Sequence, residues 1–188
     1  VACQVLGTPV ISGNVSLYNE TGGQAVYPTP VVGMLGLLDD VSRHCRPGLT
    51  NEGDELFLLG APLEQPAATL AASEYLKLEH GLIGGRLEID LDLEARVQRA
   101  ALAAVRQGLA SACHDCSDGG LAVALAEMCL AGGLGLDASD APAASRLDAA
   151  LFGEAQSRIL VAVPPARREE LLGIAGGLNV PASFVGRA

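Results

Sequence analysis

From Ser111 to Gly135 the chain reads SACHDCSDGGLAVALAEMCLAGGLG, placing Asp115 and Asp118 three residues apart, just before a glycine pair and an apolar helix. A helix start offers unpaired N–H donors and a partial positive field, and a carboxylate beside it can hold the cation that accompanies a polyphosphate. Oxygen ligands of this kind suit Mg²⁺ with phosphates better than soft metals. The same stretch also reads as an ordinary N-cap followed by a packed helix. His114 can donate to a phosphate or serve as a structural hydrogen-bond partner.

Two other polar groups have residue types suited to binding. Asn14, Ser16, Tyr18, Asn19 and Glu20 follow an apolar run. Asn and Ser there can bind ribose, amide or phosphate and Glu20 a cation, or the set is a hairpin facing water. Ser73, Glu74 and Lys77 sit near a helix start, with His80 after it. Ser73 with local N–H groups can hold a phosphate monoester aided by Lys77 or His80, while Glu74 and Lys77 at a spacing of three can simply pair on a wet face. No GxxxxGK[ST] loop, dinucleotide fingerprint or GxSxG elbow is present.

Composition narrows the classes. Twelve basic against 22 acidic residues give a formal charge of −10, which excludes a general nucleic-acid surface. No apolar run reaches the roughly 18 residues of a membrane span. A cytoplasmic location is therefore expected. Of five cysteines, Cys113 and Cys116 form one CxxC without a second pair, so reduced structural thiols are expected.

The elements that must position these groups follow from periodicity. An extended segment is expected near residues 9–13, a turn at Gly22-Gly23, a buried strand over 31–38 (VVGMLGLL) and another over 55–59 (ELFLL). The pattern then changes, placing a boundary at 61–66. Helices are expected over 67–79, from an Asp92 cap to about 112, over 118–131, as a short piece over 147–152, and over 166–175. A small-residue loop is expected over 138–145, and strands over 158–163 and 180–185. The order indicates α/β or α+β layering, with strand direction open.

The blocks SGNVSLYNE (12–20), PTPVVGMLGLLDDV (28–41), SEYL (73–76), HDCSDGGLAVALAEM (114–128) and LFGEAQSRILV (151–161) together resemble one family, the synthetase subunit of phosphoribosylformylglycinamidine synthase. The resemblance covers nearly the whole chain and implies an aminoimidazole ribonucleotide (AIR) synthase-like, PurM-like α/β module. In that scheme 1–61 is the end of a truncated N-terminal subdomain and 62–188 a C-terminal subdomain lacking its last strands. The opening VACQVLGTPV, without an initiator methionine, fits such an internal piece.

The resemblance further implies a ligase of purine biosynthesis. It uses ATP, Mg²⁺ and ammonia to convert formylglycinamide ribonucleotide into formylglycinamidine ribonucleotide. Ammonia comes from a glutaminase subunit, alongside a small accessory subunit and the remainder of the synthetase. A piece of this kind is expected to be inactive alone, and the alternative role is a structural nucleotide-binding, pseudo-dimer scaffold. By motif, Asp118 and then Asp115 are the metal–nucleotide residues. Asn14, Ser16, Glu20, Ser73, Lys77, His80 and His114 are the nucleotide- or substrate-binding set, with no catalytic residue assigned. Ser73 falls in a substrate-phosphate loop where the family has glycine-glycine-serine and this chain has Ala71-Ala72-Ser73. Backbone N–H groups can still bind phosphate there if both alanines take negative φ, with Lys77 or His80 lending charge.

Overall fold

The computed structural model describes residues 1–139 and 144–188; of the expected loop over 138–145, residues 140–143 lie outside the described residues. The N-terminal third holds a short helix α1 (Ala2–Val5) and a hairpin of β1 (Glu20–Thr21) and β2 (Gln24–Ala25), which turns at the expected Gly22-Gly23. The buried strand expected over 31–38 is absent: Val31, Val32, Leu35 and Leu37 are exposed and the segment forms no ladder. Nor is there a strand over 9–13. Apolar β-forming residues become a strand only when a neighbour satisfies their N–H and C=O groups, and none of the described residues does so here.

From Leu49 onward the chain builds three layers. The central antiparallel sheet contains β3 (Glu55–Gly60), β4 (Ala112–Asp115), β5 (Arg158–Val163) and β6 (Ala182–Arg187), in the order β4-β5-β3-β6. Its two middle strands, β3 and β5, pair from Glu55↔Val163 to Gly60↔Arg158. Strand β3, which precedes the 61–62 position, pairs with β5 and β6, which both follow it. The change in sequence character at Pro62 coincides with the end of β3 at Gly60.

Helices α3 (Leu91–Arg106) and α4 (Gly120–Gly132) lie on opposite faces of the sheet, while α5 (Leu147–Phe152) packs against α4 and Tyr75 of α2 (Glu74–His80) stacks on Phe152 of α5. Helix α6 (Arg168–Gly177) joins α3. Side chains alternate across β3: Leu56 and Leu58 pack with Leu121, Ala124 and Met128, whereas Phe57 and Leu59 pack with Val97, Ala100, Ala104 and Leu171. Both faces are covered, which is why ELFLL and RILVAV read as continuous apolar runs.

Several boundaries differ from expectation for local reasons. Asp90, not Asp92, caps α3, accepting from the Asp92 and Leu93 amides at 3.0 Å each. That helix ends at Arg106, and Gly108 turns the chain at φ 64° into β4, which takes the place of the expected helix end near 112. The helix expected over 67–79 splits into a 3-10 turn at Ala67–Leu70 and α2, interrupted at Ala71-Ala72. Helix α5 and β5 stand where expected, at 147–152 and 158–163.

Candidate functional site around the Asp115–Gly120 turn

The turn that carries Asp115 and Asp118 leaves the edge strand β4 and enters α4 through Gly119 and Gly120, at φ 78° and 68°. Both positions favour glycine. Besides the left-handed backbone, a Cβ on Gly120 would stand 2.7 Å from the Gly153 carbonyl oxygen and 2.9 Å from that of Leu151. The turn is thus pressed against the segment that joins α5 to β5.

Asp118 is exposed and lines a cavity of about 170 Å³ with Leu87, Cys116, Ser117, Glu154 and Gln156. Its carboxylate has no hydrogen bond or ion pair among the described residues. Asp115 is partly committed, because the Ser117 hydroxyl donates to its Oδ2. Among the described residues no three His, Cys, Asp or Glu side chains gather closely enough to hold a metal by themselves. Mg²⁺ commonly takes only one or two carboxylates and completes its shell with phosphate and water oxygens.

His114 is drawn inward, with Nδ1 2.6 Å from the Asp115 carbonyl and Nε2 3.4 Å from Glu127 Oε2. These contacts give it a structural role in joining β4 to α4. The CxxC sulfurs are free thiols. Burial pushes the Cys113 thiol up to about 12 and the Cys116 thiol to about 11, so both stay protonated at neutral pH.

The loop before α2 lies on the other side of the same junction. Ser73 is buried and its hydroxyl is engaged on both sides, donating to the Leu70 carbonyl at 2.7 Å and accepting from the Leu76 amide at 3.2 Å. It is the N-cap of α2. Ala72 adopts φ 56°, so the condition that both alanines take negative φ fails at this position. The chain keeps a glycine-like left-handed backbone there with an alanine side chain, and the Ala72 amide bonds the Gly84 carbonyl at 2.8 Å. Lys77 pairs with Glu74 at 3.0 Å on the surface, and His80 packs edge-on against Tyr75 at 5.8 Å. Asn14, Ser16 and Glu20 are exposed in the N-terminal segment, do not line the Asp118 cavity, and make no side-chain hydrogen bond among the described residues.

The residue that unites these parts is Glu154, to which the sequence reading assigned no role. Its Oε1 accepts from the Glu74 amide at the start of α2 and from the Gly119 amide in the turn, each at 2.8 Å. Its own amide bonds the Thr69 carbonyl at 2.9 Å. The buried Arg158 holds the segment from beneath, donating to the Gly153 carbonyl at 3.0 Å and to that of Ala150 at 3.4 Å. The signal available beforehand was slight: a glycine-glutamate pair in the short link between an expected helix and an expected strand, where site residues often lie.

Residues 51–188 match the family described as AIR synthase related protein, C-terminal domain. The chain is 55% identical over 172 residues to the phosphoribosylformylglycinamidine synthase subunit PurL of Synechococcus sp. strain JA-2-3B'a(2-13), covering 89% of this chain and 22% of that one. It is 50% identical to the PurL subunit of Moorella thermoacetica over 190 residues, 99% of this chain and 25% of the relative. The chain therefore spans about a quarter of the length of these relatives. The solved structure of T. maritima PurL complexed with FGAR shares the fold, with a TM-score of 0.66 at 18% identity over 78% of this chain and 26% of that one. No helix among the described residues is long and apolar enough to cross a membrane. With the family match spanning both layers that flank the sheet, the chain is homologous to PurL and belongs to the AIR synthase related proteins, whose C-terminal domain it carries.

Proposed function

We propose that the chain is part of an ATP- and ammonia-dependent carbon–nitrogen ligase that converts formylglycinamide ribonucleotide into formylglycinamidine ribonucleotide. The observation that carries this reading is the 50% identity to M. thermoacetica PurL across 99% of the chain. An amide oxygen is a poor leaving group, and ATP supplies the phosphoryl group that makes it a good one. Charge on the transferring phosphoryl oxygens calls for a cation and oriented donors. Asp118, exposed and uncommitted at its cavity, is the residue to hold Mg²⁺ beside the nucleotide, with Asp115 in support. Ammonia is supplied by a glutaminase subunit assembled with a small accessory subunit and the remainder of the synthetase, in the cytoplasm.

The test is turnover by the complete subunit with formylglycinamide ribonucleotide, ATP, Mg²⁺ and free ammonia. Ammonia-dependent ADP release with amidine product is expected; ADP release that ignores the ribonucleotide would overturn the assignment. One observation favours a second reading, a structural nucleotide-binding half. The Glu74, Leu76 and Gly119 amides, which a phosphate would use, are already taken by Glu154 and Ser73. Asp118→Asn separates the two: weakened nucleotide binding with unchanged turnover would favour the structural role.

A further inference from the structure

We infer that Glu154 is a positioning residue that sets the Ala71–Glu74 loop against the Asp115–Gly120 turn, so that the two halves of the site keep one geometry. The inference rests on the proposed ligase reading for what is bound there, and on geometry alone for the clasp. One oxygen, Oε1, receives both amides at 2.8 Å, so the start of α2 and the entry to α4 are referred to a single atom. Charge-assisted bonds of this kind are shorter and stronger than neutral ones.

Three further features keep that atom in place. The Glu154 amide is tied to the Thr69 carbonyl at 2.9 Å, just upstream of the loop. The preceding Gly153 is buried, and a Cβ there would overlap the Ala149 carbonyl and the Thr69 side chain. Arg158 donates to the carbonyls of Gly153 and Ala150, securing the end of α5. The backbone of Glu154 is therefore fixed from the sheet side while its carboxylate bridges outward. Its second oxygen has no hydrogen bond among the described residues, and the side chain lines the same cavity as Asp118. The two carboxylates disfavour an unaccompanied phosphate in that cavity, so the clasp selects an anion that arrives with its cation.

The experiment compares Glu154→Ala and Glu154→Gln with wild type in the complete subunit. Glutamine keeps a carbonyl acceptor, and alanine keeps none. Hydrogen exchange followed by mass spectrometry should show peptides spanning 69–76 and 115–121 exchanging at least tenfold faster together in Glu154→Ala, with Glu154→Gln restoring most of the protection. In steady-state kinetics Glu154→Ala should raise KM for the ribonucleotide about tenfold or more, and Glu154→Gln should recover most of that loss. A merely structural defect reduces the active fraction, lowering kcat without moving KM. Faster exchange in only one of the two peptides, or in neither, would overturn the clasp. Coupled exchange with an unchanged KM would overturn its role in positioning. If the wild type shows no ammonia-dependent turnover, the ligase reading fails and the positioning role fails with it, while exchange still decides whether the clasp exists.

Discussion

Replacing Gly132 with alanine tests the packing of α4 with two opposed effects of known size. In a helix alanine is favoured over glycine by up to about 1 kcal/mol, so propensity alone predicts stabilisation. Here the last turn of α4 crosses the Gly48–Leu49 backbone almost in contact. The Leu49 amide bonds the Met128 carbonyl at 2.9 Å, and a Cβ on Gly132 would fall on the Leu49 carbonyl. The converse substitution is also blocked, since a Cβ on Gly48 would stand 2.6 Å from the Ala131 carbonyl carbon and the Gly132 nitrogen. Carbon atoms settle at roughly 3.5 to 4.0 Å, and a Cβ on Gly132 would stand 2.3 Å from the Leu49 carbonyl carbon, so the two backbones must part by about 1.2 to 1.7 Å. That separation strains or breaks the hydrogen bond, at about 1 kcal/mol, and loosens Leu49, only 1% exposed, whose full burial contributes roughly 1.5 to 3 kcal/mol. The steric side wins. Gly132→Ala should destabilise by about 1 to 3 kcal/mol, lowering Tm by roughly 2 to 10 °C for a unit of this size. Gly173→Ala is the control: it lies within α6, is exposed and has nothing within 4 Å of its would-be Cβ. It should stabilise by about 0.5 to 1 kcal/mol. Thermal and urea denaturation followed by far-UV circular dichroism would measure both. Equal signs for the two variants would refute the claim that backbone contact, rather than helix propensity, decides position 132.

Ser73→Ala should cost about 1 kcal/mol as a lost N-cap in the same denaturation series, while altering ribonucleotide KM little, because the hydroxyl serves the helix. Ala72→Gly should be neutral or stabilising by a few tenths of a kcal/mol, since relief of the φ 56° backbone offsets glycine's greater unfolded entropy; a loss above about 1 kcal/mol would contradict the left-handed assignment. Asp118→Asn in the complete subunit should weaken Mg²⁺-nucleotide binding by about 1.5 to 3 kcal/mol, or one to two decades, in calorimetric titration, with unchanged binding removing Asp118 from the ligand set. For Cys113 and Cys116 the folded values of about 12 and about 11 lie above the unfolded value near 9. Their contribution is therefore fully present below about pH 9 and is lost as pH rises from there toward the folded values, at up to about 1.4 kcal/mol per pH unit for each thiol. Urea midpoints measured from pH 8 to 11 should fall accordingly, and a Cys113→Ala, Cys116→Ala double variant should show a shallower decline.

The sequence by itself determined those features whose causes are local. The apolar runs ELFLL and RILVAV were legible as strands, and they stand as strands with Leu56, Leu58 and Leu160 on one face and Phe57, Leu59 and Val161 on the other. The apolar run LAVALAEM after the paired glycines was legible as a helix, and α4 begins there at Gly120. Asp118 stands, as expected, on a turn that enters a helix, whereas Asp115 closes β4, a strand that the sequence did not announce.

Only the tertiary structure decided what depends on distant partners. VVGMLGLL has the composition of a buried strand yet stands exposed, because strand formation needs a neighbour's hydrogen bonds as well as apolar side chains. ACHD became an edge strand because β5 offers it a ladder from Ala112↔Ala162 to Asp115↔Ile159, which outweighs the helical reading of the residues before it. Ser73 looked like a phosphate ligand in sequence, but the fold turned its hydroxyl to its own helix. Glu154 carried only the slight signal of a glycine-glutamate pair, because its role lies in joining Glu74, 80 residues away, to Gly119, 35 residues away. Hydrogen bonds across such separations have no sequence period; they exist only once the sheet has brought the two helix starts to the same end.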